Sequence, residues 1–339
     1  MVMNAWTKAL LVSIGSANID NELLEEAVRT TRPSAGPGAG IESFFFNSDG
    51  IRVRLAINSN SPLKAQKSRK ALKSPGAGGE VSLVLDGNII ASGRLEPALS
   101  HCPEQAYITI SGRCVSDCKF CPVPRLSGEV RGQEEILQMV EDAWKTGSLK
   151  AISLTSGVES SAEEEMKRAV SIVSALRARY SLPIGVSIYP TDTSSEELKQ
   201  AGATEVKYNV ETMDPEIFSR VCPGLSLEYI IESLRKAVEI FGRNRVSSNF
   251  IIGLGESDDS VLEGVARLAD IGVIPILRPI SPHPLRKGEA NVNRPSAERL
   301  LMLARATKKI LEDHNLRPDN AETMCLSCTG CDITPYRDL

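Results

Sequence analysis

The chain has 339 residues, 42% of them apolar and 24% charged, with a formal net charge of −4. That is enough for one large α/β domain plus a smaller one, and the charge gives no sign of a general nucleic-acid binder. No apolar run approaches the roughly 20 residues of a membrane span, and the first segment lacks a signal-peptide pattern. A cytoplasmic protein is expected, with neither nucleic acid nor membrane as partner.

The first hundred residues read as a small, mainly β unit. LLEEAVRTT (23–31) has a short helical pattern. IESFFFNSDGIRVRLAIN (41–58) and EVSLVLDGNIIASGRL (80–95) each read as two strands around an Asp-Gly turn. Between them Lys64, Lys67, Arg69, Lys70 and Lys73 precede a Pro/Gly-rich run, read as a mobile basic loop.

From residue 104 the period changes. Strand patterns at 106–110, 150–157, 183–190, 204–211, 245–255 and 273–280 alternate with helical patterns at 134–147, 161–180, 195–202, 226–242, 260–272 and 296–315. Six strand–helix units imply a parallel sheet wrapped by helices, either doubly wound or a barrel. No G-x-G-x-x-G follows the first strand, so a dinucleotide fold is not supported. Ligands of such sheets sit at the carboxyl ends of the strands.

Eight cysteines are present, six of them in two triplets: Cys114, Cys118 and Cys121 directly after the first strand, and Cys325, Cys328 and Cys331 in a polar tail. Such close neighbours are poor disulfide partners, and metal binding is the better reading. Soft thiolates suit zinc, copper(I) or iron–sulfur clusters. A structural zinc site closed by a distant ligand is one reading of the first triplet. Against it stand the loop's place at the ligand end of a strand, the absence of a fourth ligand at zinc spacing, and the aromatic Phe120 before the last cysteine. The spacing of the second triplet is typical of iron–sulfur ligation, with structural zinc as the alternative. Cys222 or Cys102 offers a fourth ligand, unless one iron stays open. Cys102, before the first strand, should lie at the bottom of the fold, and Cys222 nearer the first triplet. Either is otherwise a buried, inert thiol.

The run Cys-x3-Cys-x2-Cys with Phe120 resembles that of the radical S-adenosylmethionine (SAM) superfamily, and further matches resemble biotin synthase and lipoyl synthase. The resemblance covers roughly residues 104–310. It implies a partial (β/α)6 barrel at 104–315, preceded by the small mainly β domain at 1–103 and followed by a cysteine-rich segment at 316–339. It also implies a [4Fe–4S] cluster on Cys114, Cys118 and Cys121 whose free iron is chelated by SAM, which breaks to methionine and a 5′-deoxyadenosyl radical. In LTSGVES, Thr155, Ser156, Gly157 and Glu159 stand where the family contacts the SAM amine, although the common Gly-Gly-Glu form is absent. Asn209 and Glu211 in KYNVETMDPEIF are similar to a ribose-binding pair. They are two apart and so share one face of a strand. Gly253 and Gly255 in IIGLGE are similar to a segment against adenine, where glycine allows close backbone approach. Arg278, ending the sixth strand, suits a carboxylate.

A second [4Fe–4S] cluster on Cys325, Cys328 and Cys331 implies either sulfur donation, as in biotin and lipoyl synthases, or electron relay or substrate binding. Biotin synthase carries an auxiliary cysteine where Ser247 stands here, which argues against biotin synthase itself. A cluster held outside the barrel resembles lipoyl synthase, and the two-component lipoyl synthases of archaea and some bacteria fit better, since the usual Cys-x4-Cys-x5-Cys is missing. The partners then implied are an acyl-lysine carrier protein, docked by the basic loop, a second synthase component, and a low-potential ferredoxin or flavodoxin. Rival enzyme readings are a maturase or isomerase, a dehydrogenase or a methylase. A non-catalytic cluster scaffold is the rival from another class. His101, His283 and His314 are scattered, and His314 near a helix end suits a capping role.

Overall fold

A computed structural model describes residues 2–20, 23, 30–31, 36, 38–68 and 80–339. Most of the helical pattern at 23–31 falls outside these residues, as do Arg69, Lys70 and Lys73.

Helix α1 (Ala5–Ile14) opens the chain. The Asn4 side chain accepts from the Thr7 N–H at its start, and Gly15 ends it at φ 70°, the left-handed stop that glycine supplies without a Cβ penalty. The sequence showed only an apolar patch there. Six strands then form a closed barrel in the order β1-β3-β2-β6-β5-β4: β1 (Ser16–Ile19), β2 (Ser43–Ser48), β3 (Ile51–Ile57), β4 (Lys64–Lys67), β5 (Glu80–Leu85) and β6 (Asn88–Glu96). The two expected hairpins are present. Asp49-Gly50 and Asp86-Gly87 have positive φ at both residues, as a type I′ turn needs. The basic segment is in part not a loop: Lys64–Lys67 is strand β4, paired with both β1 and β5.

The second sheet is parallel throughout, in the order β12-β11-β10-β9-β8-β7. Its strands are β7 (Gln105–Thr109), β8 (Ala151–Thr155), β9 (Ile184–Ser187), β10 (Glu205–Lys207), β11 (Val246–Ile252) and β12 (Ile274–Pro279). Helices α2 (Gln133–Trp144), α3 (Ala162–Arg177), α4 (Ser194–Ala201), α6 (Leu227–Phe241), α7 (Asp258–Asp270) and α8 (Ala297–Asp313) wrap it. A further helix, α5 (Pro215–Val221), lies between β10 and α6. This is the expected partial (β/α)6 barrel, with β7 and β12 at its edges. Its main core packs Ile152, Leu154, Val186, Val206 and Phe250 of the strands against Val140, Ile172, Leu234 and Val265 of the helices.

The sheet's inner face is polar. Tyr107, Ser153, Gly185 and Glu205 share one level by register, and Thr109, Thr155, Ser187, Lys207 and Ser247 share the next. The tail, with its short helix α9 (Met324–Cys328), fills the lower level. The Met324 N–H donates to Ser153 Oγ (2.9 Å), Gln105 Nε2 donates to the Met324 carbonyl (3.1 Å), and the Thr323 N–H donates to Glu205 (3.0 Å). Gly185 is required here, because a Cβ would sit 2.2 Å from Thr323 Oγ1. The cysteine-rich tail therefore enters the barrel's amino-terminal mouth rather than lying outside the barrel. The small barrel is tied to the same assembly. Its core includes Ala297, Leu300, Leu301 and Ala304 of α8 and Ile333 of the tail. Among the described residues no helix is long and apolar enough to cross a membrane.

Candidate active site

A cavity of about 450 Å³ runs through the partial barrel. Cys114, Cys118, Phe120 and Cys121 line one end, and Cys325 and Cys331 line the other. Val12, Gly15, Arg54 and Ala56 also line it, so the small β-barrel supplies a wall of the site. No sequence motif pointed to that.

At the upper end the cysteine loop is held by its neighbours. The Val158 N–H points at Cys114 Sγ (3.4 Å), and the Lys119 N–H donates to the Val221 carbonyl (2.7 Å). Arg286 clamps the loop: Nε donates to the Cys121 carbonyl (2.7 Å), while Nη1 pairs with Asp117 (2.7 Å) and Glu289 (2.8 Å). Lys119 and Arg286 together hold the Asp117 carboxyl down at about 2. Gly157 passes so close beneath the loop that a Cβ would lie 2.2 Å from the Arg113 carbonyl oxygen. Burial, with Cys118 and Cys114 nearby, pushes the Cys121 thiol up to about 12. Three partly exposed thiols on one loop, one receiving a backbone N–H and all facing a cavity, fit a cluster with one side left open. Cys222 is buried against this end, paired with Cys118, which raises its thiol pKa.

Thr155, Ser156 and Gly157 line the cavity. Glu159 does not; it is held between Arg113 (3.2 Å) and Arg168 (3.2 Å). The buried Glu165, unremarked in the sequence, accepts from Ser156 Oγ at 2.7 Å. Asn209 and Glu211 both line the cavity, although β10 stops at Lys207 and the pair lies in the loop beyond it. Glu211 takes φ 59°, a strained conformation for a non-glycine residue of the kind that gathers at functional sites. Backbone bonds from the Glu211 N–H to Asn249 (3.0 Å) and from the Ile251 N–H to Glu211 (2.7 Å) hold it there. Burial pushes the Glu211 carboxyl up to about 7 despite Lys207, Asn209 and Arg278.

The two glycines are placed differently from expectation. Gly253, at φ 111°, abuts the chain's own backbone, where a Cβ would be 2.2 Å from the Asn293 carbonyl oxygen. Its N–H and that of Leu254 are taken by Glu256 (2.7 Å each). Gly255, at φ 106°, faces Asn291, and neither glycine is in the cavity wall. Two further lining residues escaped the sequence. Tyr189 stacks on Tyr229 with ring centroids 6.3 Å apart. Asn249 has a buried Oδ1 without a partner, and it lies on the inner-face alternation of β11, two residues from Ser247.

At the lower end Lys207 Nζ lies 3.3 Å from Cys325 Sγ and 3.4 Å from the Tyr107 hydroxyl. Arg278 lines the cavity, but it already holds a carboxylate of its own chain, Asp332, at 3.2 Å. Burial opposes the Arg278 charge, yet Cys325, Asp332 and Cys331 hold it firmly protonated. His101 stacks edge-on against Tyr107 at 5.1 Å. Burial, with Arg54, Arg278 and Lys207 nearby, keeps it neutral. Cys328 and Cys102 are buried together behind the cavity wall. The Cys102 thiol, the Arg52 guanidinium and the Gly330 N–H bring Cys328 down to about 7 against the cost of burial. His314 is the C-cap of α8, with Nδ1 2.7 Å from the Ile310 carbonyl.

Residues 108–268 match the sequence profile of the Radical SAM superfamily. That stretch is a radical SAM domain. Such a domain implies a [4Fe–4S] cluster and SAM, and Cys114, Cys118 and Cys121 are the thiols at this end of the cavity that would hold the cluster. Over 186 residues this chain is 30% identical to the bacteriochlorophyllide c C-7(1)-hydroxylase of Chlorobaculum limnaeum, covering 51% of this chain and 45% of that protein. Over 170 residues it is 32% identical to the biotin synthase of Thermotoga neapolitana, covering 48% and 60%. It spans about half the length of the curated relatives it matches. The crystal structure of methylornithine synthase shares the fold, with a TM-score of 0.53 and 19% identity over 69% of this chain and 73% of that one.

Proposed function

We propose that this protein is a radical SAM enzyme with two iron–sulfur clusters, one on each cysteine triplet, that activates an unactivated carbon and inserts sulfur there, as a lipoyl synthase does. The observation that carries the reading is the one cavity with cysteines at both ends. A substrate carbon lying in it would face both triplets at once. With SAM, a cluster held by Cys114, Cys118 and Cys121 would supply radical chemistry, and one held by Cys325, Cys328 and Cys331 would supply sulfur. The chain's own residues orient and enclose. Asn209 and Glu211 would offer an amide and a carboxyl to the ribose hydroxyls, Thr155 and Ser156 would serve the methionine end, and the tail and small barrel would limit access of water. The acyl-lysine carrier, the second synthase component and a ferredoxin or flavodoxin reductant belong to the same proposal. Similarity to biotin synthases supports the chemistry without naming the substrate.

The test is a single turnover with SAM, a low-potential reductant and an octanoylated carrier, followed by mass analysis of the acyl chain. A sulfur-containing acyl group, with sulfide lost from the protein, is expected. An unmodified octanoyl group beside freshly formed 5′-deoxyadenosine overturns sulfur insertion into this substrate. Turnover with the second cluster intact supports the rival use of that cluster, electron relay in a dehydrogenase or methylase.

A further inference from the structure

Cys102 and the tail triplet are more than 220 residues apart in sequence, yet the fold buries them together. Cys102 is fully buried in the turn that enters β7, bridged to Gln105, with its carbonyl accepting from the Leu99 N–H (3.1 Å). It packs with Tyr107, Met324 and Cys328, and Cys325 lies against the same group. Gln105 in turn holds the Met324 carbonyl, so the segment carrying Cys102 and the segment carrying the triplet are pinned to each other. Cys222, the other unassigned thiol, lies at the far end of the cavity with Cys118.

We propose that Cys102 is the fourth thiolate ligand of an iron–sulfur site completed by Cys325, Cys328 and Cys331. Four thiolates are the usual ligand set of a [4Fe–4S] cluster. Burying that much negative charge is costly unless cations accompany it, and cations surround this site. Lys207 Nζ is 3.3 Å from Cys325 Sγ, Arg52 Nη1 donates to the Cys328 carbonyl (3.2 Å), and Arg278 pairs with Asp332 beside Cys331. Zinc also accepts four thiolates, and iron analysis separates the two. The site then has two faces: Cys325 and Cys331 toward the cavity, Cys328 and Cys102 toward the protein.

This inference rests on the reading that the second triplet holds a cluster, and the test separates the two. The full chain carrying Cys114→Ala, Cys118→Ala and Cys121→Ala is reconstituted anaerobically with iron and sulfide, then measured by iron analysis and electron paramagnetic resonance. About four irons per chain are expected. Adding Cys102→Ala should lower this to about three, with a three-iron cluster signal after mild oxidation. Adding Cys102→Ser, which keeps an oxygen donor and guards against simple misfolding, should retain the iron with an altered spectrum. Cys222→Ala should change nothing. If both Cys102 variants keep the parent's iron content and spectrum, Cys102 is not a ligand, while the second cluster stands. If the parent binds no iron, the second cluster falls and the fourth ligand with it.

Discussion

Lys207 on β10 places its ammonium 3.3 Å from the sulfur of Cys325 in the tail, joining the fourth strand of the parallel sheet to a segment 118 residues later. The lysine is almost fully buried and its other neighbour is the Tyr107 hydroxyl. A buried ammonium beside thiolate sulfur stabilises the more negative, reduced form of a cluster, because potentials follow local charge and hydrogen bonding. Lys207→Met should therefore lower the midpoint potential of the cluster proposed for the second triplet by roughly 60 mV, one tenfold step in a one-electron equilibrium. A redox titration followed by electron paramagnetic resonance measures this. An unchanged potential would mean that Lys207 serves only to fix the tail.

Two glycines at opposite ends of the barrel make paired predictions. Gly157→Ala drives a methyl to 2.2 Å from the Arg113 carbonyl oxygen, directly before Cys114. Gly185→Ala drives one to 2.2 Å from Thr323 Oγ1, directly before the second triplet. Overpacking of this kind costs about 1–3 kcal/mol and shifts backbone. Gly157→Ala should weaken iron binding at the first triplet and leave the second intact, and Gly185→Ala should do the reverse. Iron analysis in backgrounds lacking one or the other triplet distinguishes the two. Equal effects on both sites would show that the ends of the barrel are not separable.

The alternation of strands and helices, and the place of the first triplet after the first strand, were legible because both are local in sequence. The tail was not. Its position depends on polar side chains at every second residue of the strands, Gln105, Ser153, Glu205 and Lys207, which accept the plug. Buried parallel strands normally read as near-continuous apolar runs, so those interruptions were the available signal. The readings of Glu159 and Gly253 as ligand contacts failed to anticipate local partners. Arg113 and Arg168 take the carboxylate, and the Asn293 backbone takes the space beside the glycine. Both partners are supplied by folding rather than by spacing. Helix α1 is short and followed at once by a strand, and its apolar residues did not declare a period.

Glu211 makes the protein without bound cofactors sensitive to pH. Burial raises its carboxyl to about 7 from an ordinary value of 4.5, so between those values the folded chain holds a proton that the unfolded chain has released. Stability from this group is full below about pH 4.5, falls as pH rises through 7, and is flat above. The loss is about 3 kcal/mol at most. Glu211→Gln should remove this slope and leave the apo protein more stable than its parent at pH 8. Chemical denaturation at pH 5, 6, 7 and 8 measures it, and parallel curves for parent and variant would contradict the assignment.

The last contact holding the tail is Lys8 of α1, which is fully buried and bonds both the Thr329 carbonyl (2.7 Å) and Asp338 (2.6 Å). Asp338 also accepts from the Thr334 N–H at 2.7 Å. The ammonium thus ties the first helix to the chain on either side of Cys331. Removing one partner of a buried pair strands the other charge, at a cost of about 3–5 kcal/mol. Lys8→Met should lower the melting temperature and expose the segment after residue 316 to limited proteolysis. Because the tail carries the second triplet, iron at that site should be lost first, before iron at Cys114, Cys118 and Cys121. Lys8→Met combined with Asp338→Leu removes both charges and should recover much of the stability. If the double variant is no more stable than Lys8→Met alone, the pair acts through packing rather than through its uncompensated charge.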